Sequence, residues 1–123
     1  MDITATIKAI GESALSPTDP LVILFDDSAT PALRAVTLIQ QFDDPQAQRD
    51  LEMQAGDTLT IDGEDFAVTA VGKLANANLR SIGHVALVFA PQPAVDRLES
   101  ALYLKPTSRP HFTVGTTLVY HTR

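Results

Sequence analysis

"GDTLTIDGEDFAVTAVG", residues 56–72, decides how this chain is read. It divides into two β-like runs joined at Asp62-Gly63, the strongest hairpin signal in the sequence. A two-residue hairpin turn needs positive φ at its centre, which Asp tolerates and Gly adopts freely. The reading therefore begins from β structure and works outward.

Upstream, Ile3, Ala5, Ile7 and Ala9 alternate with Thr4, Thr6 and Lys8, the period of a half-buried strand. "DPLVILF" (19–25) is a short apolar run led by a proline, which suits the start of another strand. Downstream, "KLANANLRSI" (73–82) places Ala75, Leu79 and Ile82 at helical spacing. Arg80 in its last turn and Gly83 as its stop predict one short helix over 74–82. "HVALVF" (84–89) and "TTLVYHT" (116–122) read as further strands, with a turn near Ala94–Leu98 and prolines 91, 93, 106 and 110 marking loops.

"PALRAVTLIQQF" (31–42) supports two readings. Thr30-Pro31 looks like a helix start, and Leu33, Val36 and Ile39 keep helical spacing. Val36, Thr37 and Ile39 are β-branched, which favours a strand. An internal echo decides. "IKAIG" (7–11) resembles "VTAVG" (68–72), "PLVILF" (20–25) resembles "HVALVF", and "AGDTLTI" (55–61) resembles "VGTTLVY" (114–120). In that register "TLIQ" (37–40) falls on "ALYL" (101–104), and both are read as strands. The expectation is a single all-β (β-rich) domain over 1–123, mostly antiparallel, with similar halves at about 1–62 and 63–123. Halves too small for two cores point to one small closed or nearly closed β-barrel.

Composition narrows the function. Nine Lys and Arg against 15 Asp and Glu give a net charge of −6, which opposes nucleic acid and anionic lipid. Without cysteine there is no disulfide framework, thiol nucleophile or thiolate metal site. No run approaches the ~20 apolar residues of a membrane span. Met1-Asp2-Ile3 lacks the flank of a signal peptide, so a cytoplasmic protein without direct membrane insertion is expected. Asp26-Asp27, Asp43-Asp44 and Asp62/Glu64/Asp65 sit beside turn residues and read as solvated turns. Three scattered histidines make a weak metal case, and no metal or other cofactor is implied. General phosphate-binding, hydrolase and dinucleotide motifs are absent from the sequence.

Val68, Thr69, Ala70, Val71 and Gly72, followed by Asn78-Leu79-Arg80, Gly83-His84-Val85 and Phe89, form a combination with a known counterpart. The segment resembles the signature of the glucitol/sorbitol-specific IIA component of the bacterial phosphotransferase system. The resemblance implies a phosphoryl carrier for sorbitol/glucitol-type sugar uptake. Such a protein accepts phosphate on a histidine from the general phosphocarrier protein and passes it to the sugar-specific IIB part of the IIB/IIC transporter. Neutral imidazole suits the task, because its basic nitrogen attacks phosphorus and the phosphoramidate is labile enough to be handed on.

One position departs from the pattern. The family's acceptor histidine lies in a motif like F-I-H beyond the strand that ends in Phe. Counting forward from Phe25 without a gap, this chain has Leu38-Ile39-Gln40. A carboxamide nitrogen is delocalised into its carbonyl and is no nucleophile. His84 then has three readings: a second imidazole that donates to a bound phosphate, the acceptor itself, or a strand-end residue bonded to a backbone carbonyl and packed on Leu79 or Val88. His111 reads as an exposed loop residue and His121 as surface. The resemblance thus leaves a working carrier, or a non-catalytic relative that acts as a regulatory or ligand- and partner-binding module. If the family pattern holds, Gln40 and His84 share the rim of one shallow pocket.

Overall fold

A computed structural model describes residues 1–122, in the order β1 (Asp2–Ile10), β2 (Leu21–Phe25), α1 (Pro31–Arg34), β3 (Leu38–Phe42), α2 (Pro45–Arg49), β4 (Thr58–Ile61), β5 (Glu64–Val71), α3 (Ala75–Ile82), β6 (Val85–Val88), β7 (Ala101–Lys105) and β8 (Thr117–His121). The hairpin at Asp62-Gly63 joins β4 to β5, with φ of 49° and 82° at its two central residues. A Cβ on Gly63 would meet nothing within 4 Å, so the residue is there for its backbone rather than for space.

Among the described residues, these strands close into a barrel ordered β1-β3-β2-β6-β7-β5-β4-β8. β2 pairs β3 and β6 pairs β7 in parallel, and every other neighbouring pair is antiparallel. Exchanging β1–β4 for β5–β8 leaves the circular order unchanged. Irregularities also recur in matching places, between Ile7 and Ala9 on β1 and between Val68 and Ala70 on β5. The glycines that end "IKAIG" and "VTAVG" have a shared cause. A Cβ on Gly11 would collide with the Arg34 carbonyl oxygen, and one on Gly72 with that of Glu99. Each strand passes directly beneath the segment leading into β3 or β7.

Both readings of 31–42 hold a share. Thr30 caps α1 by accepting from the Leu33 N–H, Pro31 opens that single turn, and the β-branched residues then lead into β3. α2 is a further short helix, capped by Asp44 through the Gln46 N–H and opened by Pro45. α3 ends where Gly83 turns left-handed at φ 59°, its N–H on the Leu79 carbonyl and the His84 N–H on that of Asn78. That paired closure sets the direction in which the chain leaves the helix, and so where His84 begins.

The barrel interior is filled by inward residues of alternating strands, among them Ile3, Ala5 and Ile7, Leu24, Leu59 and Ile61, Phe66, Leu102, Leu118 and Tyr120, all buried. On β3 the inward positions are Leu38, Gln40 and Phe42. A glutamine therefore occupies a place that the pattern reserves for apolar side chains.

Candidate functional site

Gln40 has no exposed surface. Burying a carboxamide is costly unless both its ends are bonded, and here both are. Its Nε2 donates to the Gly83 carbonyl at 2.8 Å. Its Oε1 accepts from the Tyr120 hydroxyl at 2.7 Å. The orientation follows from chemistry: a carbonyl oxygen only accepts, so the amide nitrogen must face Gly83 and the oxygen must face Tyr120.

Tyr120 is buried on β8, with its ring against that of Phe42 at 5.7 Å between centroids. Burial pushes its phenol above the ordinary tyrosine range, and the hydrogen bond to Gln40 offsets only part of that. The hydroxyl stays protonated and remains the donor in the pair.

His84 follows Gly83 directly and is half-buried. Its Nδ1 lies 3.0 Å from the Leu24 carbonyl oxygen. That oxygen only accepts, so Nδ1 carries the proton and, in the neutral ring, Nε2 carries the lone pair. The ring stacks on Phe25, with centroids 4.4 Å apart and planes 28° apart. Backbone-carbonyl anchorage of His84 was among the expectations; the stacking partner is Phe25 rather than Leu79 or Val88.

The two candidate residues come together through one peptide group. Gln40 holds the carbonyl of Gly83, and the nitrogen of that peptide is His84's own. They do not share an open rim. Gln40 reaches the group from inside the barrel, while His84 stands outside it against β2. A surface depression of about 490 Å³ lies over Gln40, with Lys8, Asp26, Asp27, Arg34, Gln41 and Gln48 among its walls, and His84 does not line it. Asp26 links the two places. Its N–H donates to the Ile82 carbonyl at 3.0 Å, and its backbone and Cβ pack against Gly83. Arg34 donates to the carbonyls of Asp27 and Ala29, which fixes its guanidinium beside the depression. Gln48 donates to the Leu79 carbonyl at 3.0 Å, so a second glutamine holds the end of α3.

The other candidates lie elsewhere. His111 is exposed in a loop. His121 sits on the outward face of β8, with Nδ1 on Asp2 and Nε2 on Thr60, each at 2.8 Å. The carboxylates of Asp26, Asp44 and Asp62 accept from the N–H groups of Ser28, Gln46 and Thr117. Sequence reasoning missed Tyr120 and Gln48. Tyr120 looked like one more aromatic in an alternating strand, and nothing local marks its hydroxyl.

The family described as the PTS system glucitol/sorbitol-specific IIA component matches residues 2–119. Among solved structures, the PTS system IIA component from Enterococcus faecalis V583 is 35% identical, with a TM-score of 0.90, covering 97% of this chain and 99% of that one. A search of curated proteins gives no match. Among the described residues, no helix is long and apolar enough to cross a membrane.

Proposed function

Because the chain belongs to the glucitol/sorbitol-specific IIA component family of the phosphotransferase system, we propose that it is a cytoplasmic phosphoryl carrier of such a system, with His84 holding the phosphate. It takes the group from the general histidine phosphocarrier and gives it to a sugar-specific IIB component serving sorbitol-type sugars. The observation that carries this reading is the Nδ1–H of His84 on the Leu24 carbonyl, which leaves Nε2 as the nucleophilic nitrogen. In the transfer, the Nε2–phosphorus bond forms as the donor's nitrogen–phosphorus bond breaks, and the donor imidazole leaves with the electron pair. As charge grows on the His84 ring, the Leu24 carbonyl is already placed to stabilise it. Position 40 cannot substitute, because a carboxamide offers no comparable lone pair.

The test is an intact mass after incubation with phosphoenolpyruvate, enzyme I and the general carrier. An acid-labile gain of one phosphate, abolished by His84→Gln, is the expected result. No gain overturns the reading. It would favour a second one, in which the chain is a non-catalytic relative that binds carrier proteins without taking their phosphate. The observation that favours this alternative is the Gln40 carboxamide, bonded at both ends like a structural group. Carrier binding without phosphate gain would be its signature.

A further inference from the structure

The two halves of the barrel match strand for strand but differ in what lies between the strands. α3 stands between β5 and β6, whereas its counterpart between β1 and β2 (11–20) holds no helix among the described residues. α2 stands between β3 and β4, whereas 106–116 between β7 and β8 holds none. These two departures from the repeat are bonded to one another, and one of them launches His84. Within the reading that His84 carries the phosphate, we infer that Gln48 is a positioning residue for the transfer, acting through the last turn of α3.

Asn76 and Arg80 reach from α3 to the backbone of the segment that follows α2. Asn76 donates to the Met53 carbonyl at 2.9 Å and accepts from the Met53 N–H at 2.7 Å. Arg80 donates to the Leu51 carbonyl at 2.9 Å. Leu51 and Met53 are themselves buried in the core, so the segment is a fixed support. Gln48 works in the opposite direction. Its Nε2 donates at 3.0 Å to the Leu79 carbonyl, which belongs to the backbone of α3. The same oxygen accepts the Gly83 N–H at 3.2 Å, the bond that closes the helix before His84. A carbonyl oxygen has two lone pairs, and here one closes the turn while the other ties it to the support.

The Leu24 carbonyl fixes the tautomer of His84, but it does not fix where the residue's backbone begins. That is set by the turn at Gly83. Without the Gln48 bond the turn keeps its own closure, and Asn76 and Arg80 still hold α3 to its support. Only the tether on the helix end is lost. Gln48 is half-buried, unlike Gln40, so its replacement opens no cavity in the barrel. The expected consequence is therefore a less well aimed nucleophile in an intact fold, and in-line attack is sensitive to small misplacements.

The test compares the full chain with Gln48→Met, which keeps the length of the side chain and removes its donor, and with Gln48→Lys, which keeps a donor. Phosphate gain at His84 is timed over a range of general-carrier concentrations. Gln48→Met is expected to lower the maximal rate about three- to tenfold and leave the half-saturating carrier concentration unchanged. Gln48→Lys is expected to recover most of the rate. A raised half-saturating concentration at normal maximal rate would make Gln48 a docking residue and overturn the inference, as would equal losses in both variants. Hydrogen exchange supplies a readout that needs no phosphate. The Gly83 and His84 amides, bonded to the Leu79 and Asn78 carbonyls, should exchange about tenfold faster in Gln48→Met, with the amides of the barrel strands unchanged. Unchanged exchange at Gly83 and His84 overturns the inference. Faster exchange there, with no phosphate gained even by the unaltered chain, would leave the hold on the turn standing and place the failure in the proposed function.

Discussion

Gln40 on β3 and Gly83 at the end of α3 stand 43 positions apart in the chain and are joined by a buried 2.8 Å hydrogen bond from Nε2 to the carbonyl oxygen. The bond ties the barrel interior to the turn that launches His84. Loss of the carboxamide would leave the Gly83 carbonyl unpaired and, on the far side, the buried Tyr120 phenol without its acceptor. Gln40→Leu keeps most of the volume and removes both bonds. It is expected to destabilise the protein by about 2–4 kcal/mol, read from the denaturant midpoint. A change below ~0.5 kcal/mol would show that the surrounding polar groups find other partners.

Tyr120 gives the protein an alkaline limit. Its folded-state pKa lies above that of an unfolded tyrosine, near 10, because burial disfavours the phenolate. An acid whose pKa is raised by folding contributes stability that is fully present below the unfolded value. That contribution is lost as pH rises beyond about 10, where the unfolded chain ionises first. Unfolding free energy should therefore fall steadily above pH ~10, and Tyr120→Phe should flatten that part of the profile. An unchanged slope in the variant would assign the alkaline loss to other groups.

Gly11 and Gly72 make a contrasting pair with Gly63. Alanine at either of the first two would drive a Cβ into the carbonyl of Arg34 or Glu99, backbone that cannot swing aside. Gly63 has open space and only a positive φ to maintain. Thermal unfolding should rank the substitutions accordingly: Gly63→Ala costing about 1 kcal/mol, and Gly11→Ala or Gly72→Ala clearly more. The reverse order would mean that the crossing segments yield easily.

The same glycines explain what could be read from the sequence. The echo between "IKAIG" and "VTAVG" was visible because a steric demand recurs, and it placed "TLIQ" and "ALYL" as strands. We propose that the exchange relation between β1–β4 and β5–β8 records a duplication of about 1–62 as 63–123. The Asp62-Gly63 turn and the Gly83 stop were legible because their causes are local. α2 is not legible in the sequence, because Asp44-Pro45 begins a helix with the same residues that make a turn. Tyr120 could not be found at all. Its partner lies 80 positions away, and only barrel closure brings a β8 hydroxyl to a β3 amide.

Phe25 offers a way to test how His84 is aimed. The Leu24 carbonyl that fixes the tautomer belongs to the backbone and cannot be substituted, but the ring stacked on the imidazole can. Phe25→Leu keeps an apolar side chain and removes the flat face. Phe25 is itself half-buried, so the stability cost should stay near 1 kcal/mol. The imidazole would keep its hydrogen bond but rock about it, and in-line attack on phosphorus depends on holding Nε2 in one direction. Phosphate gain from the general carrier is expected to slow by about three- to tenfold, with the final extent unchanged, because the acceptor is still present. Time courses of intact mass separate the two quantities. A reduced extent at normal rate would instead place Phe25 in holding the phosphorylated form, and unaltered kinetics would leave the Leu24 hydrogen bond as the sole determinant of the ring's direction.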